Sequence, residues 1–242
     1  MKENNTERLD KVIAKATGMS RSDARKAILR GFVSVDGKTV TNISEKISPE
    51  NQKTEYSDKP VFYKEYCYIL MNKPKGVLSA SEDKKAKTVI DLLPDVYSNR
   101  NMFPVGRLDK DTTGLLIITD DGNFAHSLLT PKNKVEKEYI ATLDGDIDDT
   151  VINAFKSGVT LIDGTKLAPA KLEALKKNNI VKVTITEGKY HQIKRMFGVY
   201  NLGVNELKRL SFGGIYLPNG MPEGQFRELN TSEIKQLQKV LK

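Results

Sequence analysis

The chain has 242 residues, 38% of them hydrophobic, enough for one sizeable core and a small second one. Lysine and arginine number 39 against 31 acidic residues, for a net charge of +8 and an isoelectric point near 9.3, a balance that favours a polyanionic partner such as nucleic acid or an acidic membrane. Cys67 is the only cysteine, which excludes an internal disulfide and a cysteine-rich zinc site; MKENNTERLD carries no apolar leader and no apolar run reaches the ~20 residues of a membrane span, so a cytoplasmic, membrane-free protein is expected.

In ERLDKVIAKATGMS, Leu9, Val12, Ile13 and Ala16 fall at i, i+3, i+4 and i+7 and predict a helix that ends at Gly18. Ser20 is placed to cap a second helix, with Asp23 as its capping-box partner and Gly31 as its stop. FVSVDGKTV then sets short β-prone runs on either side of Asp36-Gly37, a dipeptide that suits a type I′ hairpin. Residues 8–30 hold seven cations, Arg8, Lys11, Lys15, Arg21, Arg25, Lys26 and Arg30, against only Asp10 and Asp23. Arg21 and Arg25 are i, i+4 neighbours and repel unless an anion sits opposite. Phosphate would serve; a solvated helix face is the alternative.

Residues 54–64, TEYSDKPVFYK, keep no period and read as a linker. YCYILMNKPKGVLS predicts a buried strand stopped by Asn72-Lys73-Pro74, while EKEYIATLDG and IVKVTITEG alternate, the latter with Val181, Val183 and Ile185 on one face. Strands interspersed with helices, without a strict strand-helix rhythm, predict an α+β domain.

VGRLDKDTTGLLIITDDG, residues 105–122, gathers Asp109, Asp111, Asp120 and Asp121 in a basic chain. An EF-hand calcium loop needs a closing glutamate that is absent here. A two-metal site would need the two acid pairs to converge, yet the apolar strand Leu115–Thr119 holds them about 16 Å apart if extended. Asp120-Asp121-Gly122 reads as a turn into a helix through Phe124, Leu128 and Leu129. Asp109 differs from that pair: it follows Gly-Arg-Leu just before a polar turn, beside the cations Arg107 and Lys110, with Asp111 as a loop-ordering neighbour.

The ordered set RLDK, SRSDA and GFVSVDGK resembles the S4 RNA-binding module across roughly residues 6–53. The likeness makes Arg8, Lys11, Arg21, Arg25, Lys26, Arg30 and Lys38 the expected phosphate contacts, which add affinity and salt dependence but read no sequence. GRLDKDTTGLLIITDDG resembles the signature of the pseudouridine synthases, in the branch that modifies ribosomal RNA and carries an S4 module. NKPKG at 72–76, EKEYIATL at 136–143 and EGKYHQIKRMF at 187–197 agree in order. GKYHQIKRM is nearest the enzymes of small-subunit rRNA; large-subunit relatives more often carry arginine at the position of Lys194.

The resemblance implies an S4 domain over residues 1–58 and, over 59–242, an α+β catalytic domain built on a mixed, mainly antiparallel sheet. It implies isomerisation of a uridine to pseudouridine without cofactor or metal: the N1–C1′ bond breaks, the uracil turns, and C5 bonds to C1′. Asp109 is then the essential acid, Tyr139 the ring that stacks on the base and takes the C5 proton, Lys194 the cation paired with the aspartate and Ile193 the apolar support beneath the uracil. Arg107, Arg195 and Lys73 are expected on the substrate, whereas His191 beside Gln192 reads as a hydrogen-bonded structural residue. The expected partner is rRNA in an unfolded or partly assembled small subunit, met by a monomer. A binding-only ribosomal factor should have lost Asp109, Tyr139 or Lys194; a glycosidase shares the carboxylate logic but has no reason for an S4 module.

Overall fold

A computed structural model describes residues 6–175 and 179–241. Residues 1–5 of the expected first domain lie outside the described residues. The chain divides into two units, Met1–Cys67 with Leu93–Met102, and Tyr68–Leu92 with Phe103–Lys242.

In the first unit, strand β1 (Glu7–Arg8) leads into helices α1 (Leu9–Thr17) and α2 (Arg21–Leu29). Leu9, Val12 and Ile13 of the expected stripe are buried, and Gly18 ends α1 at φ 75°, where an added Cβ would meet the Val96 main chain at 2.8 Å. Ser20 Oγ accepts the Asp23 N–H at 3.1 Å. The second half of the expected capping box does not form, because the Ser20 hydroxyl donates to the Asp23 carboxylate instead. Strands β2 (Val33–Val35) and β3 (Lys38–Thr39) pair through Val35 and Lys38, and Asp36 and Gly37 both have positive φ, as the I′ turn requires. Strand β4 (Lys46–Ile47) pairs with β1.

Residues 54–64 are not a linker. Strands β5 (Thr54–Tyr56) and β6 (Lys59–Pro60) form a second hairpin over Ser57-Asp58, at φ 48° and 61°, and extend the sheet to the order β3-β2-β5-β6. The residues Leu93–Met102 join the same unit: Arg100 donates to the Lys64 carbonyl at 2.7 Å and Asn99 to that of Gly18 at 2.6 Å.

The second unit begins with β7 (Tyr68–Lys73) and β8 (Phe103–Pro104), followed by β9 (Thr113–Thr119) and helix α3 (Gly122–Leu129). Next come β10 (Lys137–Leu143), α4 (Asp149–Ser157), β11 (Lys171–Ala174) and β12 (Ile180–Ile185). It ends with α5 (Gln192–Gly198), β13 (Val204–Phe212), β14 (Ile215–Tyr216), β15 (Phe226–Glu228) and α6 (Thr231–Lys239). The sheet runs β11-β12-β10-β13-β9-β7-β15, with β8 on β9 and β14 on β13. Every pairing is antiparallel except β13 with β9, so the architecture is the mixed, mainly antiparallel α+β fold expected.

The alternation in β10 and β12 turns Val181, Val183 and Ile185 inward, as their period of two requires. Leu115 and Ile117 of β9 pack with Phe124 and Leu128 of α3 and Leu237 of α6 in one core. Behind α5, Phe197 meets Phe155 of α4 with ring centroids 4.8 Å apart. Among the described residues, no helix is long and apolar enough to cross a membrane.

Candidate active site

Asp109 sits in the loop between β8 and β9, and the segment 72–79 determines the loop's shape. Lys73 ends β7 with 0% exposure, and its ammonium donates to the carbonyls of Thr112 at 2.9 Å, Pro74 at 3.0 Å and Lys110 at 3.4 Å. Gly76 N–H adds a bond to the Lys110 carbonyl at 2.7 Å, and Ser79 Oγ both donates to the Leu108 carbonyl and accepts from its N–H. Lys73 is therefore no substrate contact, contrary to expectation: it shapes the loop that presents Asp109. Burial pushes its ammonium down to about 8, against the charges of Asp111 and Asp109.

Gly114 provides the second constraint on this loop. It lies opposite Arg209 in the parallel β9–β13 pair at φ 102°, and an added Cβ would come within 2.2 Å of the Arg209 carbonyl. Only glycine allows that approach. Arg209 is buried, donates through Nε to the Leu115 carbonyl at 2.6 Å, and lies 5.2 Å from the Phe212 ring centre. Burial and the Arg209 charge together push the neighbouring Lys137 down to about 8.

Opposite the loop, Gln192 holds a tight turn into α5: its amide donates to Glu187 Oε1 at 3.0 Å and accepts the Lys189 N–H at 2.9 Å. Helix α5 then presents Ile193 and Lys194 to the loop while Met196 and Phe197 enter the core. Tyr139, on β10 between Val183 and Arg209, supplies the floor. Asp109, Arg107, Tyr139, Ile193 and Lys194 line one cleft of about 420 Å³, counting its open side.

Lys194 has the expected aspartate as a partner and a second, nearer one. Its ammonium is 2.6 Å and 2.8 Å from the two oxygens of Asp111, and 3.3 Å from Asp109 Oδ2. Asp111, expected as a loop-ordering neighbour, is thus also a ligand of the same cation. The hydrogen bond from Lys194 holds the Asp111 carboxyl below its ordinary value; burial lowers Lys194, but its hydrogen bond to Asp111 and the Asp109 charge raise it on balance. His191, read as structural, lies in the cleft with Nε2 3.4 Å from Asp109 Oδ1. Its missed signal is a left-handed φ of 48° at the entrance to α5, which aims the ring at the loop. Arg195, expected on substrate, points elsewhere and pairs with Asp163. Asp121 caps α3 by accepting the Phe124 N–H at 3.0 Å, as a turn residue should.

In the first unit, the anion opposite Arg21 and Arg25 is Asp10. Its side chain is fully buried and accepts from Arg8 at 3.0 and 3.1 Å, from Arg21 at 3.0 Å and from Arg25 at 2.8 Å. The three guanidiniums remain partly exposed, so one carboxylate gathers three of the expected phosphate contacts. Despite the cost of burial, these bonds hold Asp10 far below the usual carboxylate range. Lys11 pairs with Glu7 and Lys26 with Asp23, while Arg30 and Lys38 are exposed.

Residues 67–198 match the family described as RNA pseudouridylate synthase, and residues 7–52 match the S4 domain. The chain is 38% identical over 238 residues to the ribosomal large subunit pseudouridine synthase B of Bacillus subtilis, covering 96% of this chain and 95% of that protein. It is 37% identical over 234 residues to the ribosomal small subunit pseudouridine synthase A of Haemophilus influenzae, covering 96% and 100%. A solved structure described as a pseudouridylate synthase is 35% identical, with a TM-score of 0.67 over 95% of this chain and 99% of that one. With both matches in the order expected, the chain belongs to the RNA pseudouridylate synthase family, is an RNA pseudouridine synthase, and carries an S4 domain ahead of its catalytic domain.

Proposed function

We propose that the enzyme converts one uridine of ribosomal RNA, in the small subunit, to pseudouridine, with Asp109 as the essential carboxylate. The observation that carries this reading is the cleft itself, which Asp109, Tyr139, Ile193 and Lys194 line together. The cleavage of N1–C1′ develops positive charge on the sugar, which the Asp109 carboxylate meets either by bonding C1′ or by assisting loss of the C2′ proton. The uracil, resting on Ile193 beside Tyr139, turns and bonds through C5 to C1′; the C5 proton leaves, with Tyr139 as its acceptor, and N1 gains one. Lys194, shared with Asp111, fixes Asp109 from one side, and Arg107, exposed at the cleft, serves a phosphate.

Taking the uridine out of its stack costs a few kcal/mol, which the S4 contacts help to offset and which an unfolded or partly assembled subunit lowers. Relatives named for both subunits are almost equally similar, so the small-subunit assignment rests on YHQIK at 190–194. The test uses the purified protein with unmodified 16S and 23S rRNA transcripts. Pseudouridine in 16S alone supports the reading, pseudouridine in 23S alone moves the target to the large subunit, and full activity of Asp109→Asn removes Asp109 from its role.

A further inference from the structure

A larger groove, about 1650 Å³ including its open side, adjoins the cleft and shares Arg107, Asp109 and His191 with it. It continues past Gly106, Lys110 and Asp83 to Tyr190. The Tyr190 side chain is 75% exposed, yet its ring lies flat on the His191 imidazole, with centroids 3.8 Å apart and planes at 17°. His191 is fixed in turn by its left-handed backbone and its approach to Asp109. One face of the tyrosine is therefore covered and oriented, and the other is presented to the groove.

We propose that Tyr190 is the shelf on which the base next to the target uridine stacks, and hence a substrate-binding residue of this enzyme. The inference rests on the reading that the cleft takes a flipped uridine of RNA. Flipping leaves the neighbouring base without one stacking partner, and an aromatic ring at the mouth of the cleft replaces it regardless of base identity. The groove and the cleft share the wall formed by Arg107, Asp109 and His191, so the groove offers a path to the nucleotide next to a uridine held in the cleft. Arg107 and Lys110, exposed along the same loop, face the backbone of that strand, and Asp83 is the one carboxylate apart from Asp109 that lines the groove among the described residues.

The experiment takes the modified uridine located with the full rRNA transcripts and the shortest ligated fragment that remains a substrate. Fragments carry the natural base or an abasic ribose at each neighbouring position. On one side of the uridine, the abasic fragment raises the wild-type KM about tenfold, with a smaller change in kcat, the scale of one base–aromatic stack. Tyr190→Ala raises the KM for the natural fragment by a similar factor and erases the difference between natural and abasic; Tyr190→Phe preserves both. Wild-type indifference to abasic sites on both sides overturns the proposal, as does undiminished discrimination by Tyr190→Ala. Absence of any pseudouridine from the wild type on either rRNA is a separate result and overturns the uridine reading itself.

Discussion

The Lys194 ammonium is 2.6 Å from Asp111 and 3.3 Å from Asp109, so a single cation bridges two carboxylates that stand two residues apart in the same loop. Asp111 is held below its ordinary value and Lys194 is raised on balance, so the bridge stays charged through neutral pH. Loss of the cation leaves Asp109 without the group that orients it. Lys194→Met is expected to lower kcat/KM by about 100-fold or more, the scale of one lost preorganised charge. Asp111→Asn leaves Lys194 on Asp109 and is expected to cost less than about tenfold. Steady-state kinetics on the rRNA substrate checks both; equal losses would show that the cation acts only through its pair with Asp111.

Lys73 donates to three carbonyls from a site without solvent, and its folded pKa, about 8, lies below the value of a free lysine. Between about pH 8 and 10 the unfolded chain therefore binds more protons than the folded one at this group, and stability rises with pH. Each such lysine adds at most about 1.4 kcal/mol per pH unit, and Lys137, also lowered to about 8, adds a second contribution. Urea unfolding across this range should show the positive slope. Lys73→Met and Lys137→Met are each expected to reduce it, and a flat wild-type profile would contradict the assignment.

Gly114→Ala should be among the most damaging single substitutions in the chain. The new methyl carbon would overlap the Arg209 carbonyl at 2.2 Å and hold a left-handed φ, so β9 and β13 must separate. The expected cost is about 3 kcal/mol or more. Because β9 starts immediately after the Asp109 loop, activity should fall with stability. A melting temperature equal to wild type would refute this.

Much of this was legible before any coordinates. Period-two alternation found β10 and β12, the apolar stripe of α1 found its buried face, and Asp36-Gly37 found its hairpin, because each is a local rule written in adjacent residues. What stayed hidden depends on residues distant in the chain. Ser57-Asp58 turns β5 into β6 with two non-glycine residues at positive φ, a turn whose composition resembles ordinary loop. Leu93–Met102 joins the first unit through Arg100 and Asn99, with no periodic signal to announce it. Motif position alone puts Lys73 and Arg195 on substrate, but the carbonyl cage of one and the Asp163 partner of the other come only with the fold. The identities of the site residues were readable; the sharing of Lys194 between Asp109 and Asp111 was not.

Asp10 separates folding from RNA binding in the first unit. Its buried carboxylate holds Arg8, Arg21 and Arg25, and removing the charge leaves three guanidiniums repelling one another around a neutral group. Asp10→Asn is expected to destabilise this unit by about 3 kcal/mol at neutral pH. The folded pKa lies below the unfolded one, so the contribution is complete above the unfolded value near pH 4 and is lost as pH falls through the folded value; the acid limb of wild-type unfolding should flatten in the variant. RNA affinity is expected to respond to different residues. Arg21→Gln and Arg25→Gln each remove a half-exposed cation and should each reduce the slope of log K against log salt by about 1, whereas Asp10→Asn removes no cation and should leave that slope intact wherever the unit is folded. Titration of rRNA across a series of potassium chloride concentrations checks both. A shallower slope in Asp10→Asn than in Arg21→Gln would show that the carboxylate presents the arginines to phosphate and does more than assemble the fold.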